Sequence, residues 1–241
     1  MAATDPNSSP AFAVILPAAG LSRRFGADKL RASLAGSAVL WRTIDAFARR
    51  VGTDVASIVL AVPGGVDVWD GAPADIVALR DTGALQAVEG GPSRAHSVLN
   101  ALRGVPDSVE FVAVHDAARP LVSQALIDRA FAHARTHGSA IPALPVKLTI
   151  KQATGPLPAA VQRTLPRSTL WEMQTPQVAR RRDLLDAFAR CPLPLDQVTD
   201  DGQLLELAGL TVWLVEGEER NLKLTTPQDL LLAEQLLTAG A

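Results

Sequence analysis

Three apolar runs rich in β-branched residues, FAVIL at 12–16, SIVLAV at 57–62 and EFVAV at 110–114, read as buried strands. Between them the apolar period changes. Leu40, Trp41, Ile44, Phe47, Ala48 and Val51 recur at spacings of three and four, as do Ala95, Val98, Leu99 and Leu102, which predicts helices with one core-facing stripe. Strand and helix alternating in this way predict an α/β fold with a doubly wound, mainly parallel sheet. In such a sheet ligands bind beyond the carboxyl ends of the strands, where the loops PAAG, EGGPSR and HDAARP fall.

The stretch from Lys147 to Thr169 breaks the rhythm. LTIKQ, GPLP and AVQRTLP read as two short extended pieces around a Gly/Pro turn, a β-hairpin arm projecting from the body. A two-stranded arm alone is marginal in water, so the expectation is that it packs on a second subunit. Near the end, TTPQDLLLAEQLL carries a helix start: Thr226 as N-cap, Pro227 in the first turn and Asp229 completing a capping box. The polar opening MAATDPNSSP leads to the expectation of a disordered tail over 1–11, followed by a single domain over 12–241.

Composition narrows the function classes. A chain of 241 residues with 48% hydrophobic content can bury a core without covalent staples. The single cysteine, Cys191, excludes an intramolecular disulfide and a Cys-rich zinc site, in keeping with a reducing cytoplasm. A net charge of −2 argues against a broad nucleic-acid surface, so an anionic ligand needs a local cluster of cations. The amino-terminal segment has neither the basic start nor the apolar run of a signal peptide, and no membrane span is expected.

The first strand runs into Pro17-Ala18-Ala19-Gly20 and then LSRRFGADK. Small residues at a strand end let backbone N–H groups approach a phosphate, and Arg24 and Lys29 supply charge. This is neither a Walker A loop nor a GxGxxG fingerprint. Phosphate binding competes here with a solvated basic turn, which is also the simple reading of Arg23.

With EGGPSRAHSV, VHDAARP, TLPRSTLWEMQTPQ, VTDD and VEGEERNLKLTTPQD following in order, PAAGLSRRFG…DK resembles the opening of the 2-C-methyl-D-erythritol 4-phosphate cytidylyltransferases, a family with the nucleotide-diphospho-sugar transferase-like fold. The resemblance covers the chain from about Phe12 to Leu237. It implies CTP and a polyol phosphate as substrates, Mg²⁺ as cofactor, and a homodimer whose arms exchange.

Residue by residue, the resemblance makes Arg24 and Lys29 the pair that stabilises charge on the triphosphate. It makes Arg167 and Lys223 the cations that position the polyol phosphate. Ala18, Ala19, Gly20, Gly91 and Ser97 match positions around the cytidine, although the family often has Asp where Pro92 and His96 stand. Asp116 and Arg119 match residues near the sugar hydroxyls and the substrate phosphate; their spacing also suits a plain ion pair. Thr149, Thr175 and Thr199 match further substrate positions, with Thr149 and Arg167 reaching the partner subunit's site. The Asp expected beside each of these two arm residues is here Leu148 or Pro166. His115 reads as a satisfied core residue. The matched motifs hold no His–carboxylate pair for proton abstraction, and none is needed, since a phosphate monoester is already ionised near neutral pH.

Three other readings fit parts of the sequence: a ribitol 5-phosphate cytidylyltransferase of the same fold, a molybdopterin nucleotidyltransferase, and a noncatalytic nucleotide-binding module. HDAARP and NLKLTTPQD favour the polyol enzyme over the molybdopterin group. Retention of cations for both ends of the site, Arg24, Lys29, Arg167 and Lys223, speaks against a binding module.

Overall fold

A computed structural model describes residues 11–20 and 28–239. Arg24 and nearly all of the expected amino-terminal tail therefore lie outside the described residues. The central sheet contains β1 (Phe12–Pro17), β4 (Val55–Val62), β5 (Leu85–Glu89), β6 (Phe111–Val114), β7 (Ser139–Pro145), β10 (Trp171–Met173), β11 (Gln177–Arg180) and β12 (Leu214–Glu216). Its order is β10-β7-β11-β6-β1-β4-β5, with β12 also paired to β7. A short ribbon of β2 (Ser33–Leu34) and β3 (Ser37–Ala38) and the hairpin of β8 (Ile150–Ala153) and β9 (Val161–Leu165) stand apart from it.

The neighbouring strands β6, β1, β4 and β5 are parallel, while β11 runs antiparallel between β6 and β7. The parallel half has apolar residues on both faces. In β1, Phe12, Val14 and Leu16 enter one core, and Ala13 and Ile15 enter the other. A strand buried on both sides needs helices on both sides. On the first face lie α1 (Val39–Ala48), α2 (Ala74–Asp81), α4 (Gln124–His137) and α7 (Pro227–Ala239); on the second lie α3 (Arg94–Arg103), α5 (Arg181–Ala189) and α6 (Asp201–Leu207).

The apolar periods place the elements well. The expected strands at 12–16, 57–62 and 110–114 become β1, β4 and β6, and the two helical stripes become α1 and α3. Val51 falls beyond α1, where it bridges to Val55. The capping box forms as expected: the Thr226 N–H donates to Asp229 Oδ2 at 2.7 Å, and the Asp229 N–H donates to Thr226 Oγ1 at 3.3 Å. The hairpin forms within 147–169, with Ile150 opposite Leu165. Three of its apolar side chains face solvent in the single chain, Leu148 at 77%, Leu157 at 88% and Val161 at 60% exposure.

Candidate active site

The parallel strands end together, and their loops build a cavity of about 520 Å³. The end of β1 and its loop supply Pro17 to Gly20, the loop beyond β5 Gly91 to Arg94, and the loop beyond β6 Asp116 to Ala118; Lys29 and Lys223 also line it. Beside it lies a smaller cavity of about 240 Å³ lined by Arg119, Met173, Thr175, Gln177, Thr199 and Asp200. Arg94, Asp116 and Lys223 line both.

Asp116 is the joint between the two. Lys223 Nζ lies 2.9 Å from its Oδ2, Arg119 Nε 3.4 Å from the same oxygen, and Arg94 Nε 3.3 Å from Oδ1. Burial pushes this carboxyl up, but Arg94, Lys223 and Arg119 outweigh it and hold Asp116 well below the usual carboxylate range. It is therefore an ionised group compensated from three sides. The ion-pair reading of Asp116 and Arg119 and the substrate reading are compatible, because both side chains also line a cavity.

A buried relay fixes the backbone of Asp116. Its N–H donates to Thr175 Oγ1 at 3.1 Å, and that hydroxyl lies 3.0 Å from His115 Nδ1. His115 Nε2 lies 3.1 Å from the Arg119 carbonyl, which can only accept, so the imidazole carries its proton there. Burial lowers the His115 pKa to about 4 and keeps the ring neutral at pH 7. His115 is thus the satisfied core residue the sequence suggests. The Thr175 hydroxyl is engaged in this relay as well as lying at the smaller cavity.

Ser97 differs from the solvent-facing alternative for a polar helix residue, being only 2% exposed. Its hydroxyl donates to the Ser93 carbonyl at 2.9 Å and accepts from the Gly91 N–H at 3.0 Å. It shapes the glycine loop at least as much as it faces a ligand. His96, where the family often has Asp, turns to Ser93, its Nδ1 2.8 Å from Ser93 Oγ at the start of α3. A Cβ on Gly91 would come within 3.1 Å of the His96 carbonyl carbon and 3.3 Å of its Cα. These are backbone atoms that cannot swing away. Gly91→Ala should therefore shift the loop, destabilise the fold by about 1–3 kcal/mol and weaken binding of the CTP that the resemblance implies; unchanged denaturation and CTP titration curves would contradict this.

The other expected residues divide. Ala18, Ala19, Gly20, Lys29, Arg119, Lys223 and Thr199 all line a cavity, with the Thr199 hydroxyl 3.2 Å from Gln203 Oε1. Thr149 and Arg167 do not. Both are exposed on the arm, and Arg167 Nη1 donates to the Lys147 carbonyl at 2.6 Å. The sequence reading also passed over Arg94, which stands directly after Gly-Gly-Pro-Ser as Lys29 stands after its own glycine loop. It missed Asp201 too, the second acid of VTDD, 2.8 Å from Arg94 Nη2. A charged residue just after a small-residue loop at a strand end was the available signal.

The sequence profile of the family described as IspD, 2-C-methyl-D-erythritol 4-phosphate cytidylyltransferase, matches residues 12–239. The Synechococcus elongatus protein of that name is 41% identical over 230 residues, covering 93% of this chain and 95% of its own length. A bifunctional enzyme IspD/IspF from Desulfotalea psychrophila is 40% identical over 227 residues, 93% of this chain but 56% of that longer protein. Among solved structures, the Francisella tularensis 2-C-methyl-D-erythritol 4-phosphate cytidylyltransferase aligns with a TM-score of 0.78 at 30% identity, covering 93% of this chain and 98% of that one. The enzyme of the same name from Thermus thermophilus aligns with a TM-score of 0.74 at 34% identity, covering 94% and 98%. The loops that build the larger cavity and the segments that build the smaller one thus lie within one continuous match, and the chain belongs to the 2-C-methyl-D-erythritol 4-phosphate cytidylyltransferase family.

Proposed function

We propose that the chain joins the CMP unit of CTP to 2-C-methyl-D-erythritol 4-phosphate, releasing pyrophosphate in isoprenoid biosynthesis, with CTP in the larger cavity and the polyol phosphate in the smaller. The observation that supports this arrangement is the meeting of the two cavities at Arg94, Asp116 and Lys223. Two anionic substrates must be brought phosphate to phosphate, and a shared, partly compensated cluster of cations lowers the repulsion between them.

In the reaction an oxygen of the ionised polyol phosphate forms a bond to the α-phosphorus of CTP. The bond from that phosphorus to the oxygen bridging the β-phosphate breaks, and pyrophosphate leaves with the electron pair. No proton needs to be removed. Arg24 and Lys29 oppose the charge that builds on the triphosphate, while Lys223 and Arg119 hold the incoming phosphate in line. A pyrophosphate-release assay over several polyol phosphates and all four nucleotides tests this reading. It predicts release with CTP and 2-C-methyl-D-erythritol 4-phosphate; preference for ribitol 5-phosphate would move the chain to the alternative substrate, and CTP binding without release would support a noncatalytic module.

Among the described residues, no group of three His, Cys, Asp or Glu side chains is placed to hold a metal, and Asp116 is the one carboxylate lining the larger cavity. That donor set fits Mg²⁺ carried in on triphosphate oxygens and water rather than held in a protein cage. Bound so, the ion would neutralise charge on the leaving pyrophosphate. Excess chelator should therefore abolish turnover and leave the melting temperature of the nucleotide-free protein unchanged; full activity in chelator would contradict the assignment.

The arm supports a homodimer. Leu148, Leu157 and Val161 are exposed on it, and Thr149 and Arg167 line neither of the two cavities. Exchange of arms between two copies would cover the first set and carry the second to the partner's smaller cavity. Mixing Arg167→Ala chains with Lys29→Ala chains, each nearly inactive alone, should restore activity, because one site of the heterodimer then escapes both lesions. Heterodimers confirmed by mass without recovered activity would end the exchange reading. The reaction draws on the cell's CTP, which is the reason for assigning the chain to the cytoplasm; no helix among the described residues is long and apolar enough to cross a membrane.

A further inference from the structure

The second acid of Val198-Thr199-Asp200-Asp201 is held in a demanding position. Asp200 caps α6 by accepting the Gln203 N–H at 2.9 Å. Gln177 Oε1 accepts the N–H groups of Asp201 and Gly202 at 2.9 and 3.0 Å, so the first turn of the helix is anchored to β11. With the backbone fixed, the Asp201 side chain is buried at 3% exposure, its Oδ2 is 2.8 Å from Arg94 Nη2, and its Oδ1 has no partner among the described residues. A buried carboxylate with one oxygen unsatisfied is a poor device for stability alone. Its partner points to another purpose. Arg94 carries Asp201 at one end of its guanidinium and Asp116 at the other, and it lines both cavities.

We propose that Asp201 is a positioning residue for the transfer: through Arg94 it fixes the guanidinium at the boundary of the two cavities, and so sets where Asp116 and Lys223 stand between the substrates. A planar fork held at two points keeps one orientation, whereas a guanidinium paired only to Asp116 can swing into either cavity. Asp116 accepts from Arg94 on Oδ1 and from Lys223 on Oδ2, so a rotation of Arg94 is passed on to the lysine through one carboxylate. The inference rests on the two-cavity reading of the reaction.

The test is a double-mutant cycle with Asp201→Asn and Arg94→Lys, measuring kcat and KM for CTP and for 2-C-methyl-D-erythritol 4-phosphate together with thermal unfolding. Asp201→Asn alone should lower kcat/KM for both substrates by about ten-fold or more, with the melting temperature little changed, because an amide oxygen can still accept from Arg94 and the lower cost of burying an amide offsets the lost charge pairing. In the Arg94→Lys background the same change should cost less than about two-fold, since a lysine cannot hold both acids and the coupling is already lost. A lower melting temperature with unchanged kcat/KM would make the pair merely structural, and equal losses in both backgrounds would show that Asp201 does not act through Arg94; either overturns the proposal. Should Asp201→Asn fail to fold, Asp201→Ser carries the same comparison. A wild-type chain that releases no pyrophosphate brings down the two-cavity reading and this inference together, whereas an active wild type with an equally active Asp201→Asn brings down this inference alone.

Discussion

Lys29→Ala should lower turnover by about two to three orders of magnitude with little change in unfolding. Lys29 lines the larger cavity together with Gly20 and Leu30. Its backbone is held by the turn that follows, the Ala32 N–H donating to the Lys29 carbonyl at 3.3 Å, so the substitution removes a cation without undoing the turn. On the proposed mechanism the charge it opposes grows on the triphosphate as the α-phosphorus is attacked. Its loss should therefore appear in kcat, with a smaller effect on the KM for CTP. Arg24→Ala is expected to behave alike. Steady-state kinetics beside a thermal melt decides the matter: near wild-type kcat in a folded variant removes that residue from the mechanism.

Asp116→Ala should damage both fold and function. Removing the carboxylate leaves Arg119, at 9% exposure, and Lys223 without their shared acid, and leaves Arg94 with Asp201 alone. Breaking a buried charge network in this way typically costs about 3–5 kcal/mol. Turnover should fall with it, because the three cations then repel one another at the point where the substrate phosphates must meet. The pH dependence has a definite sign. The folded-state pKa of Asp116 is depressed, so its contribution is present above the ordinary carboxylate pKa and is lost only as pH falls below that value. Denaturant unfolding at neutral pH should therefore separate the variant from wild type by the full amount, and the gap should narrow in strong acid. A variant as stable as wild type at pH 7 would show that the network is not the support described.

The elements the sequence made plain are those in which local pattern and tertiary role agree. β1, β4 and β6 are almost wholly apolar, Ser57 in β4 excepted, because helices cover both faces of the parallel half. Thr226, Pro227 and Asp229 mark the start of α7 because capping is a local matter, decided within one turn. By contrast β10, β11 and β12 are three or four residues long and pair antiparallel or at the sheet margin, so they leave too short a period to read. The mixed character of the sheet was hidden for that reason.

Within the site, the small-residue loops were legible because close backbone approach excludes larger side chains, as Gly91 shows against His96. Residues contributed to the site across long sequence separations were legible only through the family motifs. The pairing of Arg94 with Asp201 spans 107 positions, and nothing in either local sequence announces the other. Thr175 was assigned to the substrate from its motif, whereas its hydroxyl also completes a relay through His115 that only the folded chain brings together.

The most direct test of the account follows the label of CTP. With 2-C-methyl-D-erythritol 4-phosphate present, phosphorus label at the α-position should pass into a diphosphate-bridged cytidyl product, and label at the γ-position should leave as pyrophosphate. Transfer of the γ-label to the polyol, or release of the α-label as free CMP with no bridged product, would contradict the proposed attack at the α-phosphorus between the two cavities.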